Sequence, residues 1–205
     1  MANWICNHVT ITEGNVKISD LPIFKDEVNG VKRFDFNLVK PMPEEIPNED
    51  YSPYQEECAV LAYLTDGFTK DPDARAKSYI DRCFKHLTEP IDLTKAEVDP
   101  AKIPAYIEKG RKLIELYDKY HAMNWYDWSC ENWGTKWNST DLVLEDNEMR
   151  FLTANGDPAP VILALSEKYP DLTFYMESDC DYIFVTYKIK AGKLLKKTEE
   201  EDYFM

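Results

Sequence analysis

The residues best equipped for chemistry lie together. Trp128-Ser129-Cys130-Glu131-Asn132-Trp133-Gly134-Thr135-Lys136-Trp137-Asn138 holds three of the five tryptophans, a carboxylate, an ammonium and two carboxamides in one short run. Two uses fit such a segment. As a ligand or partner site, Trp133 and Trp137 offer indole faces for stacking, and Glu131, Asn132, Lys136 and Asn138 offer polar contacts. As a structural corner, the indoles fill the core and the asparagines bond loop backbone; this is the preferred reading. Gly134 permits a positive φ or a close backbone approach in either version. At a spacing of four, Trp133 and Trp137 share a face in a helix and a side in a strand. Trp4 and Asn7, similar in type at the other end of the chain, complete either arrangement.

Other chemistry-bearing residues are dispersed. Glu177, Asp179 and Asp181 alternate as calcium-loop carboxylates do, but the glycine and distal glutamate of such a loop are missing, so a solvated turn is expected. His8, His86 and His121 are far apart and form no metal-binding pair; the last two fall near helix C-termini, where an imidazolium suits the helix dipole. Cys6, Cys58, Cys83, Cys130 and Cys180 include no Cys-x-x-Cys pair, so buried free thiols are expected rather than zinc. No glycine-rich phosphate loop is present, which argues against nucleotide-dependent chemistry. No catalytic residue, metal or cofactor is assigned.

Bulk composition narrows the classes. Hydrophobic content of 44% and aromatic content of 13% are globular values, and 205 residues suffice for a sizeable core. The net charge is −14, and acidic residues outnumber basic ones in every quarter of the chain. Duplex binding needs a basic face, so nucleic acid is a disfavoured partner. No apolar run approaches the roughly 18 residues of a membrane span, and the N-terminus lacks the pattern of a secretory signal. The expectation is a cytoplasmic protein beginning near Met1, off the membrane.

Strand patterning appears at both ends. Asn7–Thr12 alternates, with Val9 and Ile11 on one side, and Glu13-Gly14-Asn15 closes it. Phe34, Phe36 and Leu38 alternate within Arg33–Val39, a second predicted strand that Pro41 ends. After a proline- and acid-rich connection over 41–54, helical spacing takes over. A short helix is expected over 55–64, another from the Asp71-Pro72 start signal to Pro90, and a third from Ile103 to His121. Gly110 in the apolar stripe of the third suggests a close neighbour. Strands 140–144 and 148–153 flank a hairpin loop, Asp157-Pro158 starts a helix ending before Pro170, and strands 172–176 and 182–187 flank an acidic turn at 177–181. The tail from 193 to 205 reads as frayed or a short surface helix. The pattern is α+β, a mostly antiparallel sheet with helices on one face, in one domain with a helical insertion at about 55–121.

Three segments carry a family resemblance. Met1-Ala2-Asn3-Trp4-Ile5-Cys6-Asn7 precedes a strand, Phe34-Asp35-Phe36-Asn37-Leu38-Val39-Lys40-Pro41-Met42-Pro43 is a phenylalanine-rich stretch running into Pro-Met-Pro, and Glu131–Asn138 is the most specific of the three. Together they resemble the YubB-like proteins of plasmids, phages and other mobile elements. Two departures stand out: the first cysteine sits one place late, and Asn155-Gly156-Asp157 follows Thr153-Ala154 where relatives have an aromatic. The resemblance implies a ferredoxin-like domain and a mobile-element setting, and brings no catalytic residues with it.

The functional expectation is a non-enzymatic module that binds a protein of the host or of the element, including the special case of an anti-defence inhibitor. One alternative is a small hydrolase-like enzyme with Glu131, Lys136 and Asn138 in a pocket roofed by tryptophan. Another is a single-stranded nucleic-acid binder that stacks bases on Phe34 and Phe36. The oligomeric state is open.

Overall fold

Alternation in the first strand sets the architecture. In this computed structural model, which describes residues 2–26, 30–46, 58–59, 62, 100–180 and 183–201, β1 (Trp4–Glu13) buries Ile5, Asn7 and Val9 and exposes Trp4 and Cys6. Its β-branched run from Val9 to Thr12 suits a pleated, half-buried strand. β1 lies between β5 (Glu148–Ala154) and β6 (Thr173–Cys180), antiparallel to both. β4 (Thr140–Leu144), β7 (Ile183–Lys190) and β8 (Lys193–Glu201) complete a six-stranded sheet in the order β4-β5-β1-β6-β7-β8.

Without β7 and β8, the element order is strand, helical connection, two strands, helix, strand, and the sheet order is β4-β5-β1-β6. That is the ferredoxin-like arrangement, which the antiparallel meander β6-β7-β8 widens. One sheet face is buried in matched rows: Asn7 sits opposite Phe151 and Ser178, Val9 opposite Met149 and Met176, and Met176 opposite Tyr187. The helix over Ala159–Lys168 packs against β6 and β7 and buries Val161, Ile162 and Leu165. Removing side chains of this size from water stabilises the fold by about 1.5–3 kcal/mol each. The other face of β1 presents Trp4, Cys6, His8 and Thr10.

Three expectations about the elements fail for identifiable reasons, and the expectation of buried thiols, met at Cys58, fails at Cys6 and Cys130, which are exposed. Arg33–Val39 is not one strand: β3 (Lys32–Phe34) pairs with β2 (Phe24–Asp26) in a separate two-stranded sheet, and α1 (Phe36–Val39) follows. Asp35 makes the switch, its carboxylate accepting the Asn37 N–H at 3.1 Å as an N-cap. Phe36 and Val39 are then buried at helical spacing while Leu38 is 44% exposed. The acidic stretch from Glu177 to Cys180 is not a turn but the end of β6, paired residue by residue with β7. The tail is neither frayed nor helical up to Glu201, because β8 pairs along β7.

The chain divides into two compact units, Met1–Met42 with Ser129–Met205, and Pro43–Trp128. In the second, α2 (Ile103–Tyr120) buries Gly110 and Leu113 and ends at His121, a left-handed residue with φ 57°. A Cβ on Gly110 would stand 1.9 Å from the Cys58 carbonyl oxygen, so the glycine is there for a backbone approach. Cys58, Ala59, Leu113 and Met123 form a small buried cluster. Cys58, Ala59 and Ala62 are helical; the rest of the expected helix at 55–64 and all of that at 71–90 lie outside the described residues. α3 (Trp125–Trp133) opens where Asn124 accepts the Asp127 N–H at 2.9 Å. The helix over Ala159–Lys168 is α4. It starts where the Asp157 carboxylate accepts the Ala159 N–H at 3.1 Å, and it ends before Pro170. Among the described residues no helix is long and apolar enough to cross a membrane.

Candidate functional site

Most of the conspicuous segment is committed to folding its own corner. Trp133 closes α3 at 5% exposure; its indole N–H donates to the Lys40 carbonyl at 2.9 Å, and its ring meets Phe36 edge-on at 5.7 Å. Gly134 then takes φ 79°, and a Cβ there would fall 2.5 Å from the Asp157 carbonyl oxygen. The left-handed turn ends the helix, so Trp133 and Trp137 do not share a face as their spacing suggests. The Thr135 hydroxyl donates to the Trp137 carbonyl at 2.6 Å, and the Ser129 hydroxyl to the Lys136 carbonyl at 2.9 Å. The Lys136 N–H reaches the Ala154 carbonyl at 3.0 Å, which pins the corner to β5.

Asn138 and Asn7 are structural in the same sense. The Asn138 carboxamide oxygen accepts the Phe36 and Ser139 N–H groups at 3.0 and 2.9 Å, and its nitrogen donates to Asp35 at 2.6 Å. Asn7 is fully buried; its nitrogen donates to Thr153 at 2.8 Å and to the Ile5 carbonyl at 3.1 Å, while its oxygen accepts from Ser178 at 2.8 Å. A buried carboxamide satisfied this way fixes the three central strands relative to one another.

What is left over lies on the surface. Trp4 and Trp137 are 47% and 42% exposed, and their ring centroids are 6.1 Å apart at an interplanar angle of 40°. The Lys136 ammonium stands 4.5 Å from the Trp137 ring centroid, a cation–π contact. Glu131 is exposed and Asn132 half-buried near the end of α3. The Glu131 charge acts on Lys40, whose ammonium is held below its ordinary pKa by burial, an effect Glu131 opposes. Of the eight residues singled out in the sequence, the structure therefore joins Trp4, Lys136 and Trp137 at the surface. It assigns Asn7, Trp133 and Asn138 to the interior and its supports.

Two clusters had no local signal in the sequence. On the exposed side of β1, His8 places Nδ1 3.1 Å from Glu177 and Nε2 3.1 Å from Glu148, and Arg150 also reaches Glu148 at 3.1 Å. At the end of β1, Glu13 is drawn down to about 2 by the Thr173 hydroxyl first, then by a hydrogen bond from Lys190 and the charges of Lys188 and Lys190. Only the strand register, which joins residues more than a hundred positions apart, brings these groups together. Among the described residues no group of three or more His, Cys, Asp or Glu side chains is placed to hold a metal ion.

No protein-family model matches the chain. No curated protein matches it either. Among solved structures it is similar to the crystal structure of a protein api92 from Yersinia pseudotuberculosis, of the family DUF1281, with a TM-score of 0.43, 14% identity and coverage of 98% of each chain.

Proposed function

We propose that the protein acts by binding a partner protein, with Trp4, Trp137 and Lys136 as the anchor of the contact. The observation that carries this reading is the adjacent pair of half-exposed indoles. Trp133, Asn138 and Asn7 are used internally, yet these two rings remain half-exposed. Tryptophan contributes large, rigid contact area, and it dominates the energetics of many protein interfaces. The Lys136 ammonium supplies a charge at the rim, where it steers and orients an acidic or carbonyl-rich patch.

The competing readings lose ground for stated reasons. A hydrolase pocket needs Asn138 free, and its carboxamide is occupied by Phe36, Ser139 and Asp35. Base stacking on Phe34 and Phe36 needs exposed rings, and both are fully buried. The resemblance to YubB-like proteins of mobile elements makes a host or element-encoded protein the natural partner class, anti-defence inhibition included.

The test is affinity capture from host cells with the wild type and with a Trp4→Ala/Trp137→Ala variant of unchanged melting temperature. A stoichiometric protein recovered by the wild type and lost by the variant supports the reading. Equal recovery by both, or no stoichiometric protein at all, overturns it.

A further inference from the structure

β8 is the last strand of the sheet, and among the described residues nothing pairs with its outer edge. It is nine residues long, runs through Lys193-Leu194-Leu195-Lys196-Lys197-Thr198-Glu199-Glu200-Glu201, and exposes Leu194 and Leu195 at 49% and 54%. Its first half is basic and its second half acidic, within a chain that is otherwise acidic throughout. An open edge of this length is a template for another strand, and charged residues on it decide which strand is accepted.

We propose that β8 pairs antiparallel with β8 of a second copy of the chain, about a two-fold axis through Thr198, so that the two sheets join edge to edge. In this register Lys196 faces the partner's Glu200, Lys197 faces the partner's Glu199, and Thr198 faces its own counterpart. By symmetry, each charge pair occurs twice. Shifting the axis to Lys197 sets Lys197 against itself, and a parallel arrangement sets every charge against its like. The sequence of charges therefore selects both the direction and the register. A two-fold contact of this kind closes after two subunits and leaves no further edge on that side.

The pairing also relieves a strain within each copy. β8 already sets Lys196 directly opposite Lys188 of β7. The partner's Glu200 would stand on the other flank of Lys196 and on the same sheet face, because residues of equal parity share a face. This surface is separate from the Trp4–Trp137 patch, so the two proposals stand or fall independently.

The test is molar mass by light scattering over about 1–200 µM protein, together with two single variants at exposed positions, Lys196→Glu and Glu200→Lys. The expected wild-type mass rises with concentration from 23.9 kDa toward about twice that value. Each variant alone should stay monomeric, since each sets like charges against each other at both ends of the pairing. An equimolar mixture of the two should recover the dimer, because each chain then supplies the charge the other lacks. Circular dichroism confirms that both variants keep the fold. A wild type that stays monomeric at about 200 µM overturns the proposal. So does a dimer that both single variants leave intact, or a mixture that stays monomeric.

Discussion

Asn7 shows how much a single buried amide can specify. It sits at 0% exposure on the central strand and bonds outward to both neighbours, Thr153 on β5 and Ser178 on β6. Asn7→Leu should destabilise the protein by about 1–3 kcal/mol, chiefly because the buried Ser178 hydroxyl loses its acceptor, whereas the Thr153 hydroxyl keeps its bond to the Gly156 carbonyl at 2.7 Å. Adding Ser178→Ala should recover part of that loss, since removing both sides of a buried polar contact is close to neutral. Urea unfolding of the single and double variants checks this, and a double variant weaker than Asn7→Leu would refute the network. The tryptophans divide more sharply. Trp133→Ala empties a buried site and should cost about 3–5 kcal/mol, lowering the melting point by on the order of ten degrees. Trp137→Ala, at a 42% exposed position, should shift it by no more than about two degrees. Calorimetry on the two variants separates corner from surface, and equal shifts would sink the distinction.

At the scale of elements, the ends of β1, β6 and β7 are tied by charge. Glu13 accepts the Thr173 hydroxyl at 2.7 Å and the Lys190 ammonium at 3.1 Å, and Lys188 stands at 3.5 Å. These contacts lower its carboxyl from 4.5 to about 2. A depressed carboxyl stabilises the fold fully above its unfolded value and loses that contribution as pH falls through its folded one. Wild type and Glu13→Gln should therefore differ in stability by a constant amount above about pH 5, and the difference should shrink steadily as pH falls through the folded value. Thermal melts across that range measure the difference; a gap that stays unchanged between about pH 5 and pH 2 would contradict the assignment. The same element scale explains what could be read beforehand. The hairpin β4–β5, helix α2 with its close-contact Gly110 and helix α4 all follow from local periodicity and turn chemistry. The stretch Arg33–Val39 misleads because Phe34, Phe36 and Leu38 fit a strand until Asp35 caps a helix between them. β8 misleads because its charges have no apolar alternation, and only the register along β7 makes it a strand. The corner itself is legible as dense in costly residues, but which side chains it consumes is decided by Asp35, Lys40 and Asp157, remote in sequence.

For the molecule as a whole, the decisive quantity is a net charge of −14 spread along the entire chain. The ion pairs that offset it, such as Lys17–Asp146 and Lys119–Glu45, join side chains more than half exposed. Exposed pairs of this kind are worth about 0–1 kcal/mol and are weakened by salt. The uncompensated carboxylates repel one another in the compact state, and salt weakens that repulsion as well. The two effects oppose each other, and the excess decides the sign. With 38 acidic against 24 basic residues, repulsive pairs outnumber attractive ones over the chain as a whole. The screening length falls from about 30 Å at 0.01 M salt to about 8 Å at 0.15 M, which removes the long-range repulsion while the contacts at about 3 Å keep most of their attraction. The melting temperature should therefore rise by a few degrees between those two salt concentrations at pH 7. The rise should shrink as pH is lowered toward the sequence pI of 4.7, where the net charge vanishes. Differential scanning calorimetry at both salts and at pH 7 and 5 tests the argument. A melting point that falls with added salt at pH 7 would mean that specific ion pairs, rather than diffuse repulsion, govern the electrostatics of this fold.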